Sequence, residues 1–228
     1  MKGISIYINE KLRISKSTPK HAFVAKTRGE LINYIRENYS ADADYNDVDV
    51  SYIENMSGVF GDPTRYSFHS LDISEWDVSN ATETRYMFIG QEQINPDLSN
   101  WDVSKVKNMN FMFEGCSNFN CDLSKWNVSN VKHMDGTFGG CKKFNSDIST
   151  WDVSNVINMT RLFDECESFN QDITGWDVSN VENMSYMFKK CISFNQDISK
   201  WKINKNTIAT KAFDGCSIKE EYKFKTIS

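Results

Sequence analysis

The chain has 228 residues, with 26 Lys and Arg against 31 Asp and Glu for a formal net charge of -5. Those charges are interspersed with no basic stripe to neutralise phosphates, which excludes nucleic acid as a partner. No stretch reaches the roughly 18 consecutive apolar residues of a membrane span. The start, MKGISIYINEKLRISK, lacks the continuous apolar run of a secretory signal, so the expected location is the cytoplasm.

Residues 3–15 alternate, with Ile4, Ile6 and Ile8 before Asn9-Glu10-Lys11 and Leu12 and Ile14 after it, a β-hairpin pattern. After Pro19, Thr27 and Glu30 have the spacing of a capping box. Leu31, Tyr34, Ile35 and Tyr39 then recur at helical intervals, predicting a helix over 28–39 with one buried face. Hairpin and helix together make residues 1–46 an N-terminal cap.

From residue 47 to 218 the chain repeats. Trp76, Trp101, Trp126, Trp151, Trp176 and Trp201 fall 25 residues apart, and Phe88, Phe113, Phe138, Phe163, Phe188 and Phe213 keep the same step, as do Cys116, Cys141, Cys166, Cys191 and Cys216. A fixed period of this length means one unit that buries its apolar face only by stacking on copies of itself. Seven units are expected. The first lacks its tryptophan and precedes the second by 28 residues, with three extra residues in GDPTRYSFHS around Pro63. The last drifts polar, and 219–228 read as a C-terminal cap.

Within a unit, DITGWDV is rich in β-formers and predicts a short strand. Ile173 and Trp176 are three apart, which requires a bend if both face inward. In NMSYMFKKC, residues Met184, Met187, Phe188 and Cys191 are spaced as one face of a short helix, with Asn183 as its N-cap. The predicted fold class is therefore an α/β repeat solenoid with a strand and a helix in every rung. Its core ladder is formed by the six tryptophans, by Phe113, Phe138, Phe163 and Phe188, and by the five column cysteines.

The cysteine column holds Gln91 in one unit, so a reduced, buried ladder is expected instead of disulfides or metal ligation. Cys121, outside the column, is expected to be an exposed thiol. Asn95, Asn120, Asn145, Asn170 and Asn195 form a column suited to satisfying backbone groups. Asp72, Asp97, Asp122, Asp147, Asp172 and Asp197 form another, read as a turn cap in each rung, with a row of calcium sites as the alternative. No cofactor or metal is expected. His21, His69 and His133 are scattered, and no nucleophile, base and orienting group share a motif, so no catalytic residue is assigned.

Two columns vary while the core does not: Glu75, Asn100, Lys125, Thr150, Gly175 and Lys200 before the tryptophans, and Tyr86, Phe111, Gly136, Arg161, Tyr186 and Lys211 on the helix side. Aromatic and arginine side chains anchor interfaces. Tyr86, Phe111, Arg161 and Tyr186 are therefore candidates for a partner face, partial packing of the aromatics against neighbouring helices being the other reading.

The unit WDVSNVxNMxxMFxxCxxFNQDIS, fullest over residues 151–200, resembles the BspA-like, leucine-rich-repeat-related family known from mycoplasma surface lipoproteins. The likeness covers about residues 46–218. It implies a right-handed leucine-rich-repeat-like solenoid, protein binding or adhesion, and display on a cell surface or virion. The expected function is a non-enzymatic scaffold for a protein partner, with a subunit of an oligomeric layer as the alternative.

Overall fold

The residues that carry the 25-residue period build turns. In the computed structural model, residues 21–225 are described, and the hairpin expected over 3–15 lies outside them. Among the described residues there is one α-helix, α1 (Arg28–Glu37), four strands of two or three residues, β1 (Phe23–Val24), β2 (Asp42–Asp44), β3 (Val48–Asp49) and β4 (Ser70–Asp72), and one 3-10 turn, Glu220–Tyr222. Strands β1 and β3 pair in parallel, as do β2 and β4.

The expected α/β repeat solenoid, with a strand and a helix in each rung, is overturned. No helix and no extended strand occurs between Trp76 and Trp201. The segment expected to be helical shows why. Met187 N–H donates to Met184 O at 3.1 Å and Cys191 N–H to Phe188 O at 3.1 Å, closing two separate turns. The alternate donors leave the unit: Met184, Tyr186, Phe188 and Lys190 give their N–H to the carbonyls of Ile208, Thr210, Ala212 and Asp214 at 2.7–3.0 Å. Tyr186 at φ 60° and Lys190 at φ 57° break any helical run. Consecutive three-residue turns place apolar side chains at the same spacing as a helix face, so periodicity alone does not separate them.

Turns make the other corners too. Trp176 N–H donates to Ile173 O at 3.1 Å, Val181 to Val178 at 3.0 Å and Phe194 to Cys191 at 3.2 Å. The first is the bend that lets Ile173 and Trp176 both point inward, and both are buried.

Successive units are held in register by parallel bridges. These run from Asn55 to Glu83, then through Asn108, His133, Asn158 and Asn183 to Ile208. The first step is 28 residues and the rest 25. Rings follow the same register: Phe60, Phe88, Phe113, Phe138, Phe163, Phe188 and Phe213 stack with centroids 5.3–5.9 Å apart, within the range of favourable offset stacking. A second column, Phe119, Phe144, Phe169 and Phe194, repeats at 5.7–6.2 Å.

Both ends of the stack are covered. Thr27 caps α1, its Oγ1 accepting from Glu30 N–H at 3.2 Å, as the capping-box spacing predicts. Leu31 and Ile35 are buried, whereas Tyr39 stays 39% exposed. Although the segment before Asp47 shares none of the unit's sequence, Phe23 pairs with Val48 at an offset of 25, so its backbone enters the stack in step. At the far end Phe224 packs on Trp201 and Phe213.

Candidate binding face

The variable column shares a backbone property that its side chains conceal. Tyr86, Phe111, Gly136, Arg161, Tyr186 and Lys211 all lie at φ between 51° and 60°. A second column four residues on does the same: Gly90, Gly115, Gly140, Glu165, Lys190 and Gly215 at φ 57–76°. Left-handed backbone costs a residue with a Cβ about 1–2 kcal/mol, which explains the glycines of the second column. With Gly58 of the first unit at φ 62°, glycine occurs twice in the first column, and four of the other five side chains are aromatic or arginine. Large groups stand along this edge of the stack where glycine would be relaxed.

The structure gathers the four candidates into two pairs. Tyr86 and Phe111 stack with centroids 5.2 Å apart and planes at 6°. Arg161 lays its guanidinium 5.3 Å from the Tyr186 ring centroid. Phe111 also covers Gly136, where an added Cβ would lie 2.5 Å from Phe111 Cδ1. These side chains pack on one another along the column, the neighbouring helices expected beside them being absent, and Tyr86 is 41% exposed.

Arg161 also lines a hollow of about 230 Å³, together with Glu114, Asp164, Glu165, Lys189 and the glycines Gly115, Gly139 and Gly140. Asp164 is 6% exposed, with Lys189 Nζ at 3.5 Å from Oδ1 and Arg161 Nη1 at 3.6 Å from Oδ2. Burial raises its carboxyl above the ordinary range despite both cations. Burial also raises Glu114, and the Asp164 charge adds to this against Arg161.

The core columns carry polar handles as well as bulk. Indole Nε1–H groups of Trp101, Trp126, Trp151, Trp176 and Trp201 donate to the carbonyls of Ile73, Leu98, Leu123, Ile148 and Ile173 at 2.9–3.2 Å; Trp76 donates to Tyr45 O at 2.8 Å. Thiols of Cys116, Cys141, Cys166 and Cys191 face the carbonyls of Phe88, Phe113, Phe138 and Phe163 at 2.9–3.1 Å. All six cysteines are free. Cys216, in the last unit, is only partly buried. Gln91 takes the thiol's place and does more: its Nε2 donates to Phe60 O and Tyr66 O, and its Oε1 accepts from Phe68 N–H. It thereby ties down the three-residue insertion. Cys121 corrects an expectation. It is buried, 6% exposed, because its sulfur accepts the Leu98 N–H at 3.2 Å.

The aspartates of the first column turn inward on their own loops. Asp97 Oδ1, for example, accepts the N–H and hydroxyl of Ser99 at 3.0 and 2.7 Å, and these bonds hold its pKa below the ordinary range. Each asparagine of the other column accepts the backbone N–H 25 residues on, from Asn95 to Asn120 through Asn170 to Asn195, at 2.8–2.9 Å. Among the described residues no group of three or more His, Cys, Asp or Glu could hold a metal ion, and no helix is long and apolar enough to cross a membrane.

Two overlapping stretches, residues 30–141 and 120–224, match the family described as Mycoplasma protein of unknown function, DUF285. The chain belongs to this family. No curated protein and no solved structure matches it. In this DUF285 chain, reasoning from sequence missed the left-handed rows and the hollow. The signal was there: Gly90, Gly115, Gly140 and Gly215 recur at one position, the mark of a backbone needing positive φ.

Proposed function

We propose that the chain is a non-enzymatic repeat scaffold that binds a protein partner through the edge bearing Tyr86, Phe111, Arg161 and Tyr186. One observation carries this reading: large side chains occupy left-handed positions in four units, where Gly136 shows that the stack accepts glycine. Strain held at surface positions points to a role outside the fold, and tyrosine and arginine are the residues on which interfaces depend most. A scaffold without catalysis is further supported by the column aspartates, spent on turns, and by the thiols, whose burial disfavours the reactive thiolate. The resemblance to the BspA-like surface proteins supports binding too, with adhesion as one form of it.

Replacing the four residues together by glycine tests the proposal. Relief of strain, about 1 kcal/mol per site, offsets the lost ring contacts, each worth about 0.5–1.5 kcal/mol, so the melting temperature should move by only a few degrees. Partner capture from an extract of the source cells should be lost. Undiminished capture by the four-glycine variant rejects this edge as the binding face.

A further inference from the structure

The peptide groups at the turn corner of each unit line up with those of the next. From Gly58 N–H on Arg85 O to Tyr186 N–H on Thr210 O, one row of hydrogen bonds crosses the stack, each 2.7–3.0 Å long. A single peptide serves both neighbours, as the one between Thr160 and Arg161 accepts from Gly136 and donates to Ser185. Three further rows run parallel to it, through Met184, Phe188 and Lys190. Two run the other way, through Lys132 N–H on Lys107 O and Lys143 N–H on Ser117 O, so donors predominate at the C-terminal end. Hydrogen-bonded peptides aligned in this manner sum their dipoles as in a helix and leave positive charge at the N–H end.

The two ends of these rows are answered differently. At the first unit Arg28 of α1 lays its Nε–H on Ser57 O, a cation at the carbonyl end of a row. At the last unit the N–H groups of Ala209, Lys211, Phe213 and Gly215 meet no acceptor among the described residues. Phe224 covers the rings of Trp201 and Phe213 and leaves this backbone row unpaired. Ile208, which ends the column of bridges, is 55% exposed. Between residues 202 and 225 six lysines stand against three carboxylates, in a chain whose net charge is -5, and Lys211 of the row is itself exposed. Unpaired donors beside a bare apolar side chain mark an edge ready to take another layer.

We propose that this end of the stack docks an acidic segment of a partner protein, whose carbonyl and carboxylate oxygens accept from Ala209, Lys211, Phe213 and Gly215. A second copy of the same edge would set donors against donors, and the carbonyl end of the stack is already engaged by Arg28. A basic segment would meet the lysines with like charge. The mode is edge addition, in which main-chain bonds supply affinity and charge selects the partner. This docking place lies one unit beyond Tyr186 and is separate from the edge proposed above, so either can fail without the other.

The test uses the full chain, isotope-labelled and titrated with the peptide Glu-Gly-Glu-Gly-Glu-Gly, with its Gln-Gly counterpart and with inorganic phosphate. Saturable shifts of the Ala209, Lys211, Phe213 and Gly215 amides are expected with the glutamate peptide, at an affinity at least about tenfold above that of the glutamine peptide. Exchange of those four amides with deuterium should slow in the complex. Lys211→Glu alters a side chain that makes no bond in the stack and should weaken binding about tenfold by setting like charges together. Added salt should weaken binding to the native chain, and the four-glycine variant should bind the peptide as the native chain does.

Equal affinity for the two peptides, shifts that spare the four amides, or undiminished binding by Lys211→Glu each overturns the proposal. Equal saturation by phosphate reduces the end to a simple anion site and overturns it too. Peptide binding lost in the four-glycine variant assigns the contact to the Tyr86 to Tyr186 edge and removes the end from consideration.

Discussion

Tryptophan and cysteine recur in this core for their donors as much as for their volume. A stack of turns leaves many carbonyls facing inward, where water cannot reach, and an unpaired buried carbonyl costs about 1–3 kcal/mol. The indole and thiol hydrogens meet those carbonyls once per unit, on the residue 28 positions back. Valine or phenylalanine would fill the space and leave the oxygen unpaired. The cost of this arrangement is sensitivity to alkali. Burial raises the pKa values of Cys116, Cys141, Cys166 and Cys191. Below the ordinary thiol value of about 8.5 folded and unfolded chains both hold these protons. Above it the unfolded chain releases them while the native one does not, so stability falls with rising pH by about 1.4 kcal/mol per pH unit for each thiol. Tyr45, pushed up to about 12 by burial, adds to the loss above about pH 10. Urea unfolding between pH 7.5 and 9.5 should show the steep decline, and Cys141→Ala should remove one thiol's share. A pH-independent midpoint would contradict the protonated, buried ladder.

At the scale of the turn, the left-handed residues explain why the chain coils in corners and not in helices. Such a residue gives its own N–H to a carbonyl 24 residues ahead, as Tyr186 N–H reaches Thr210 O at 3.0 Å, while the N–H that follows closes a turn within the unit. Two neighbouring glycines should therefore respond in opposite ways to alanine. Gly136 has φ 55° and the Phe111 ring above it. Gly136→Ala combines backbone strain with displacement of that ring and should cost about 2–3 kcal/mol. Gly139 has no such φ, and its nearest contact to an added Cβ is ordinary. Gly139→Ala should stabilise by about 0.5 kcal/mol through the unfolded chain. Denaturant titration of both variants checks the contrast, and equal effects would refute the assignment of the two conformations.

For the whole molecule, each unit touches mainly the one before and the one after, through bridges, rings and asparagine bonds that all run at one 25-residue step. Stability in such a stack is close to a sum of unit and neighbour terms. Deleting residues 151–175 joins two units whose core columns match. The shortened chain should fold cooperatively, with a smaller dependence of stability on denaturant because less surface is exposed on unfolding. Deleting residues 151–162 shifts every later column out of register and should abolish cooperative folding. Circular dichroism with urea titration distinguishes the two, and equal folding of both deletions would refute register as the organising constraint.

The sequence by itself determined the period, the three-residue insertion near Pro63, the inward side chains and the capped helix α1. Those features depend on side-chain type and spacing, and stacking copies one above another writes them into the chain at regular intervals. The tertiary structure decided whether the spacing in NMSYMFKKC was a helix or two turns, because both place Met184, Met187, Phe188 and Cys191 on one side. The choice rests on where the backbone N–H groups go, and their partners lie in the next unit. It also decided that Cys121 is buried, since the Leu98 N–H that needs its sulfur is 23 residues away. The hollow over Gly139 was legible only as a missing side chain in a column. Its charged lining, Glu114, Arg161, Asp164, Glu165 and Lys189, is drawn from successive units by the stacking and not by any local pattern.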